Sequence, residues 1–190
     1  MALSLIPSAG VTGVGGLTLV NTTTGSNVSG IDVTSVLDAT YPVYMIHMTN
    51  MRTHNAGQQT NLRFITSGGT QSSNYGYSRM YHYGTEAKQH DQNSATTNSL
   101  YLNFNPHANA AFAWDGVFWI HNPSGTTYYK NWQGTSFTPS DSTGGGSHNS
   151  NVIYIGGEAW YGGSDAITGF NIVPNSGNIT GTVRTYGLAG

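Results

Sequence analysis

The chain has no cysteine. Neither a disulfide framework nor a thiolate metal site can contribute to it, so its stability must come from burial. Charge is nearly as scarce: six Lys and Arg and eight Asp and Glu make up 7% of the 190 residues, against about 25% in an average soluble domain. Basic residues scattered from Arg52 to Arg184 cannot form the stripe whose counterion release drives nucleic-acid binding, which excludes a nucleic-acid partner. Long apolar runs are missing too. No stretch reaches the ~18 residues of a membrane-spanning helix, and Met1 to Leu5 lack the positively charged start of a secretory signal, so no membrane partner is expected.

Catalytic and metal-binding patterns are also lacking. The histidines His47, His54, His82, His90, His107, His121 and His148 never fall at the short spacings that place two ligands on one metal. Glu86 and Glu158 are the only glutamates, and the aspartates mostly adjoin turn residues, where Asp bonds its own backbone; no carboxylate pair suited to acid/base work stands out. Gly144-Gly145-Gly146-Ser147 does not have the frame of a nucleophile elbow, and Gly13-Val14-Gly15-Gly16 lacks the lysine of a phosphate loop. The expectation is a protein that is not an enzyme and takes no metal or cofactor. Asn21-Thr22-Thr23, Asn27-Val28-Ser29 and Asn178-Ile179-Thr180 match glycosylation sequons, as chance provides in a chain this rich in Asn, Ser and Thr.

Gly, Ser, Thr and Asn fill the space that charge leaves. With 12% aromatic residues and a formal charge of −2 the chain should fold rather than stay disordered. Few strong helix formers and many turn and β-prone residues point to an all-β protein. A chain of this length buries roughly 70% of its unfolded surface, enough for one core. Residues 1–30 carry no charge and are punctuated by glycine. They read as an uncharged N-terminal arm, with Leu3, Leu5, Ile6, Val11 and Val14 as its apolar residues and Leu17 to Val20 as its clear strand candidate; such an arm can pair with a neighbour's sheet edge through backbone hydrogen bonds. Residues 31–190 then form a single β-sandwich domain.

Within that domain Ile31 to Leu37 suggests a short strand or one helical turn. Tyr41 to Met51 is the strongest strand, apolar at Tyr44, Ile46 and Met48 and largely so at Val43, Met45 and His47, as in a central strand. Asn61 to Thr66 should follow it in a hairpin, ended by Ser67-Gly68-Gly69. Glu86 to Asn98 reads as a polar surface loop, and Leu100 to Phe104 as a strand. Asp115-Gly116 is a two-residue hairpin signal that would pair Ala111 to Trp114 with Val117 to Ile120, Trp114 and Trp119 anchoring the core. Thr126 to Trp132 and Asn151 to Gly156 read as strands flanking a low-complexity loop, Thr135 to Ser150. The count, eight to ten short strands, is that of a sandwich.

One middle segment stands out as a candidate interaction face. In Asn74 to Gly84, Tyr75, Tyr77, Tyr81 and Tyr83 share a parity with Arg79 between them. An extended segment would line four phenol rings on one side, which could stack on sugar rings or a partner protein, or equally pack on the opposite sheet with hydroxyls at the rim.

The chain closes on two β-runs, Ile167 to Val173 and Ile179 to Leu188, around Pro174-Asn175-Ser176-Gly177, which reads as a hairpin whose last strand tucks into a sheet. Ile179, Gly181 and Val183 alternate with Thr180, Thr182 and Arg184, as in a half-buried strand. The pattern Ile167-Thr168-Gly169, Ser176-Gly177, Gly181-Thr182-Val183 and Tyr186-Gly187-Leu188 resembles the C-terminus of jelly-roll-like virion structural proteins of tailed bacteriophages, and Tyr41-Pro42-Val43-Tyr44 resembles an early strand entry in that family. The resemblance implies an antiparallel jelly-roll-like β-sandwich with a glycine-rich N-terminal arm. It also implies a non-enzymatic place in the virion: a capsid decoration (cement) protein, a homotrimer bound to the major capsid protein. The alternative within the virion is a tail-fibre or tail-tip domain that recognises host surface glycan through the tyrosine face.

Overall fold

The computed structural model describes residues 16–55, 57–83, 89–103, 112–140 and 150–189; the side chains of 81–83, 89–97, 140 and 150–161 are not part of that description. The described chain forms the strands β1 (Leu17–Val28), β2 (Ile31–Val33), β3 (Val43–Thr53), β4 (Thr60–Thr66), β5 (Gly69–Thr70), β6 (Tyr75–Tyr83), β7 (Gln89–Thr97), β8 (Leu100–Tyr101), β9 (Trp114–His121), β10 (Lys130–Ser140), β11 (Ser150–Tyr161), β12 (Ile167–Pro174) and β13 (Ile179–Leu188). No helix occurs among the described residues. The strands make two antiparallel sheets, an eight-stranded one in the order β1-β13-β3-β9-β10-β11-β6-β7 and a smaller one in the order β2-β12-β4-β5, with β8 also on β4.

Period-2 patterning decides which face of each strand turns inward. In β13 the buried residues are Ile179, Gly181, Val183, Thr185 and Gly187, as the alternation predicts. In β3 Tyr44, Ile46 and Met48 are buried while Val43, Met45 and His47 are only partly so. These side chains meet Leu62, Phe64, Phe170 and Ile172 of the smaller sheet in one core. Aromatic rings lock the two layers: Phe64 of β4 lies 6.0 Å from Trp132 of β10, edge to face, and Trp132 stacks on Phe118 of β9 at 4.9 Å.

Glycine makes the closing strand fit. A Cβ at Gly181 would stand 2.2 Å from Met51 Sδ, and one at Gly187 would stand 2.2 Å from the ring of Tyr41. Both sites therefore admit side chains from the adjoining strand β3 and the segment leading into it, where any other residue would collide. Gly177 occupies the left-handed region, at φ +75°, where glycine alone has no steric cost.

Several expected connections differ. The turn at 174–178 joins the predicted pair of closing strands, but they do not pair with each other: β12 lies in the smaller sheet between β2 and β4, and β13 in the larger one between β1 and β3. The turn is an arch from layer to layer. The expected hairpin between β3 and β4 is likewise a crossing between sheets. Asp115-Gly116 does not turn at all; β9 runs through it, Gly116 facing both Ser136 and Met48, because β10 pairs with it without interruption on one side and β3, with a bulge opposite Asp115, flanks it on the other, which overrides the local turn preference. Gln89–Thr97 is strand β7 rather than a loop, held by β6, and β10 continues through Thr135 to Ser140 where a loop was expected. Leu17–Val28, assigned to the arm, is a twelve-residue strand on β13; Leu3, Leu5, Ile6, Val11 and Val14 lie outside the described residues.

Candidate functional site

The tyrosine segment is strand β6, but its described side chains turn inward. Tyr75 is fully buried and Tyr77 and Arg79 nearly so. The Tyr75 hydroxyl accepts the Phe64 amide at 2.7 Å and donates to the Gln71 carbonyl at 3.2 Å. Tyr77 meets Tyr101 edge to face at 5.2 Å, and the Arg79 guanidinium lies over both rings, 5.3 and 4.9 Å from their centroids. Burial sheds water from the guanidinium and strengthens its attraction to the ring faces. Tyr75, Tyr77 and Arg79 thus tie the sheets together rather than present a surface, a correction to the exposed face expected there. The side chains of Tyr81 and Tyr83 lie outside the described residues.

A different surface gathers exposed apolar groups: the outward side of the larger sheet. Register places Leu19 of β1, Tyr186 of β13, Met45 of β3 and Trp119 of β9 in one row across four strands, with Leu17, Leu188 and Val43 in the next row. Leu17 and Leu19 are 46% and 53% exposed, and the others named are partly exposed. At about 4.8 Å between strands and ~6.8 Å between same-face residues, the two rows cover on the order of 200–300 Å², within the size of apolar patch that monomers ordinarily expose. On the outward positions of β1, β13, β3, β9 and the described part of β10 the formal charges are Arg52, Arg184 and Asp115.

Beside this patch lie two shallow depressions of about 270 and 230 Å³ that share Val117 and Thr135. The first runs along Trp119, Gln133 and Gly134; the second lies between His47, Asp115 and Phe137. Gly134 lines the first and Gly116 the second; on the inner side of the sheet the Phe118 ring presses on both so closely that a Cβ would stand 2.7 Å from it at Gly116 and 2.4 Å at Gly134. Asp115 is held in place by accepting the Asn50 amide at 2.7 Å, and Gln133 Nε2 lies 3.3 Å from His121 Nε2. The arrangement offers flat aromatic contact and a few hydrogen-bonding groups, suited to holding a surface or a sugar ring. Among the described residues no group of three or more His, Cys, Asp and Glu comes together.

The groups with shifted titration lie away from this face and do structural work. The Tyr44 hydroxyl donates to Asp38 Oδ1 at 2.7 Å and accepts the Asp38 amide at 3.1 Å; burial, then the adjacent carboxylate, push its pKa up to about 12. The same bond, with those from Thr40, holds the Asp38 carboxyl below its ordinary value. Lys130, 2% exposed, donates to the carbonyls of Gly125, Tyr128 and Ser164. Burial lowers its pKa and Asp165 opposes the shift.

Sequence reading missed the outward row, although one signal was present: the second parity of β3, Val43-Met45-His47, is apolar. By sequence that parity reads as burial on both faces, whereas the structure leaves it partly exposed. Comparison of the chain with protein-family models, with curated proteins and with solved structures finds no match.

Proposed function

We propose that the protein is a non-enzymatic structural component of a tailed-phage virion, a decoration protein whose jelly-roll-like domain binds the capsid shell and associates with its own copies. The observation that carries this reading is the flat, sparsely charged outward face of the eight-stranded sheet, with its apolar row Leu19, Tyr186, Met45 and Trp119. Such a face meets another protein surface with little desolvation of charge, and a flat face fits a shell better than it encloses a small molecule. The C-terminal resemblance supports the same reading, since its glycines at 181 and 187 are the ones that seat the closing strand.

Electron cryomicroscopy of the particle that carries this chain tests it. Density repeated over the icosahedral shell, lost in a Met45→Glu/Trp119→Glu double variant that melts like the parent, is the expected result. Density confined to the tail overturns it in favour of a receptor-binding role, in which the trough beside Trp119, and not the buried tyrosines, would meet a sugar ring.

A further inference from the structure

The two sheets end in edges of very different kinds. β2 has three residues and β5 and β8 two each, too short to template another strand. The far edge of the large sheet, β7, is nine residues long and carries Asp91 and His90. β1 is the exception among the described strands: twelve residues, no charge, no proline, and exposed along most of its length. Natural edges of this length are normally guarded by lysine, proline or an inward charge, and an unguarded one invites pairing with another chain.

The only devices on β1 are two irregularities in its register with β13, between Leu19 and Asn21 and between Gly25 and Val28. They bracket a regular run, Asn21 to Gly25, that faces Thr185 to Gly181 residue for residue. The run ends a threonine row that crosses the outward face: Thr49 faces Thr182, Thr182 faces Thr24, and the Thr24 and Thr182 hydroxyls lie 3.2 Å apart. The row stops at an exposed Thr24 with Thr22 beside it on the same face. The edge is also held rigid at its end, where the Asn27 amide donates to Thr180 Oγ1 and Asn178 Nδ2 to the Asn27 carbonyl, so little order need be gained on pairing.

We infer that β1 pairs antiparallel with β1 of a second copy of this chain, about a two-fold axis at Thr23, joining two eight-stranded sheets into one. In that register Thr22 faces Thr24 of the second copy and Asn21 faces its Gly25, so the threonine row continues across the junction; Thr–Thr cross-strand pairs are favourable. A two-fold axis normal to the sheet keeps both outward faces on one side, so the pair presents a doubled flat face. An uncharged edge fits its own copy because no like charges meet. The regular run is short, so the pair is weak in solution and strengthened where copies are held close together. The inference stands whether or not the protein is part of a virion.

The absence of cysteine allows a clean test on the full chain. Thr23→Cys places the thiol opposite itself, within disulfide range of its copy, whereas Thr18→Cys, outside the run, does not. Under mild oxidation Thr23→Cys is expected to form a disulfide-linked dimer and Thr18→Cys to remain without a cross-link. Sedimentation over roughly 1 μM to 1 mM should show a dimer for the parent and about tenfold weaker association for Thr22→Lys/Thr24→Lys, whose ammonium groups face each other. Mixing that variant with Thr22→Glu/Thr24→Glu should restore association. A monomer at every concentration with no cross-link at position 23 overturns the proposal, as do equal cross-linking at 18 and 23 and failure of the mixed pair. Protection from hydrogen exchange of the alternate β1 amides that point away from β13, in a strictly monomeric protein, also overturns it, by assigning the edge to another part of the same chain.

Discussion

Removing one hydroxyl, by Tyr75→Phe, probes what holds the smaller sheet to the larger. Leu62 of β4 pairs with Leu100 of β8, and Ile65 pairs with Thr70 of β5, which leaves Phe64 between two short partners with neither strand beside it. Its carbonyl is taken by the Gln71 amide at 2.8 Å and its own amide by the Tyr75 hydroxyl at 2.7 Å. The phenol thus completes a ladder that two-residue strands cannot. Phenylalanine keeps the ring contact with Phe64, 5.9 Å between centroids, but strands a buried amide, at a cost of about 1–3 kcal/mol. In a domain of this size each kcal/mol lowers the melting temperature by roughly 2–4 °C. Tyr75→Ala, which also opens a cavity, should cost about 3–5 kcal/mol. Urea unfolding followed by tryptophan fluorescence gives the free energies, and hydrogen exchange should show the Phe64 amide opening faster in Tyr75→Phe. A Tyr75→Phe protein within about 0.3 kcal/mol of the parent, with the Phe64 amide equally protected, would refute the reasoning.

Alkaline pH should loosen the fold through Tyr44. Its pKa rises on folding from the ordinary 10 to about 12, so the contribution is complete below pH 10 and is lost as pH climbs toward 12, at most about 3 kcal/mol. Tyr44→Phe should remove that slope from stability measured between pH 9 and 12. On the acid side the lowered Asp38 carboxyl contributes above about pH 4 and loses its contribution as pH falls through its folded value, a slope that Asp38→Asn should abolish in acid titrations. Gly181→Ala should destabilise by about 1–3 kcal/mol in urea unfolding, since its Cβ would meet Met51, while Gly16→Ala, with open space around it, should leave the midpoint unchanged. Thr185→Val should raise the unfolding midpoint, by about 1 kcal/mol, because the Thr185 hydroxyl is buried with no hydrogen-bond partner among the described residues.

What the sequence determined by itself was the class of structure and most strand positions. Scarce charge, abundant turn residues and period-2 alternation are local properties, and β3, β4, β6, β12 and β13 fall where the alternation lies. Local signals could not decide pairing. A proline-glycine turn at 174–177 looks the same whether it joins two strands of one sheet or arches between layers, and Asp115-Gly116 lost its turn because β3 and β10 ladder with β9 on both sides. The sequence was equally silent on sidedness. Four tyrosines at one parity fit a sugar-stacking face or a core, and only contact with β4 and β8 turned the described members inward. The mixed apolar parity of β3 fits burial on both faces or an uncovered interaction surface, and only the one-sided placement of the smaller sheet left Met45, Trp119 and Tyr186 facing out. Alternation is written in a strand of a few residues; partner and facing come from segments far along the chain, through a balance of burial that no short window contains.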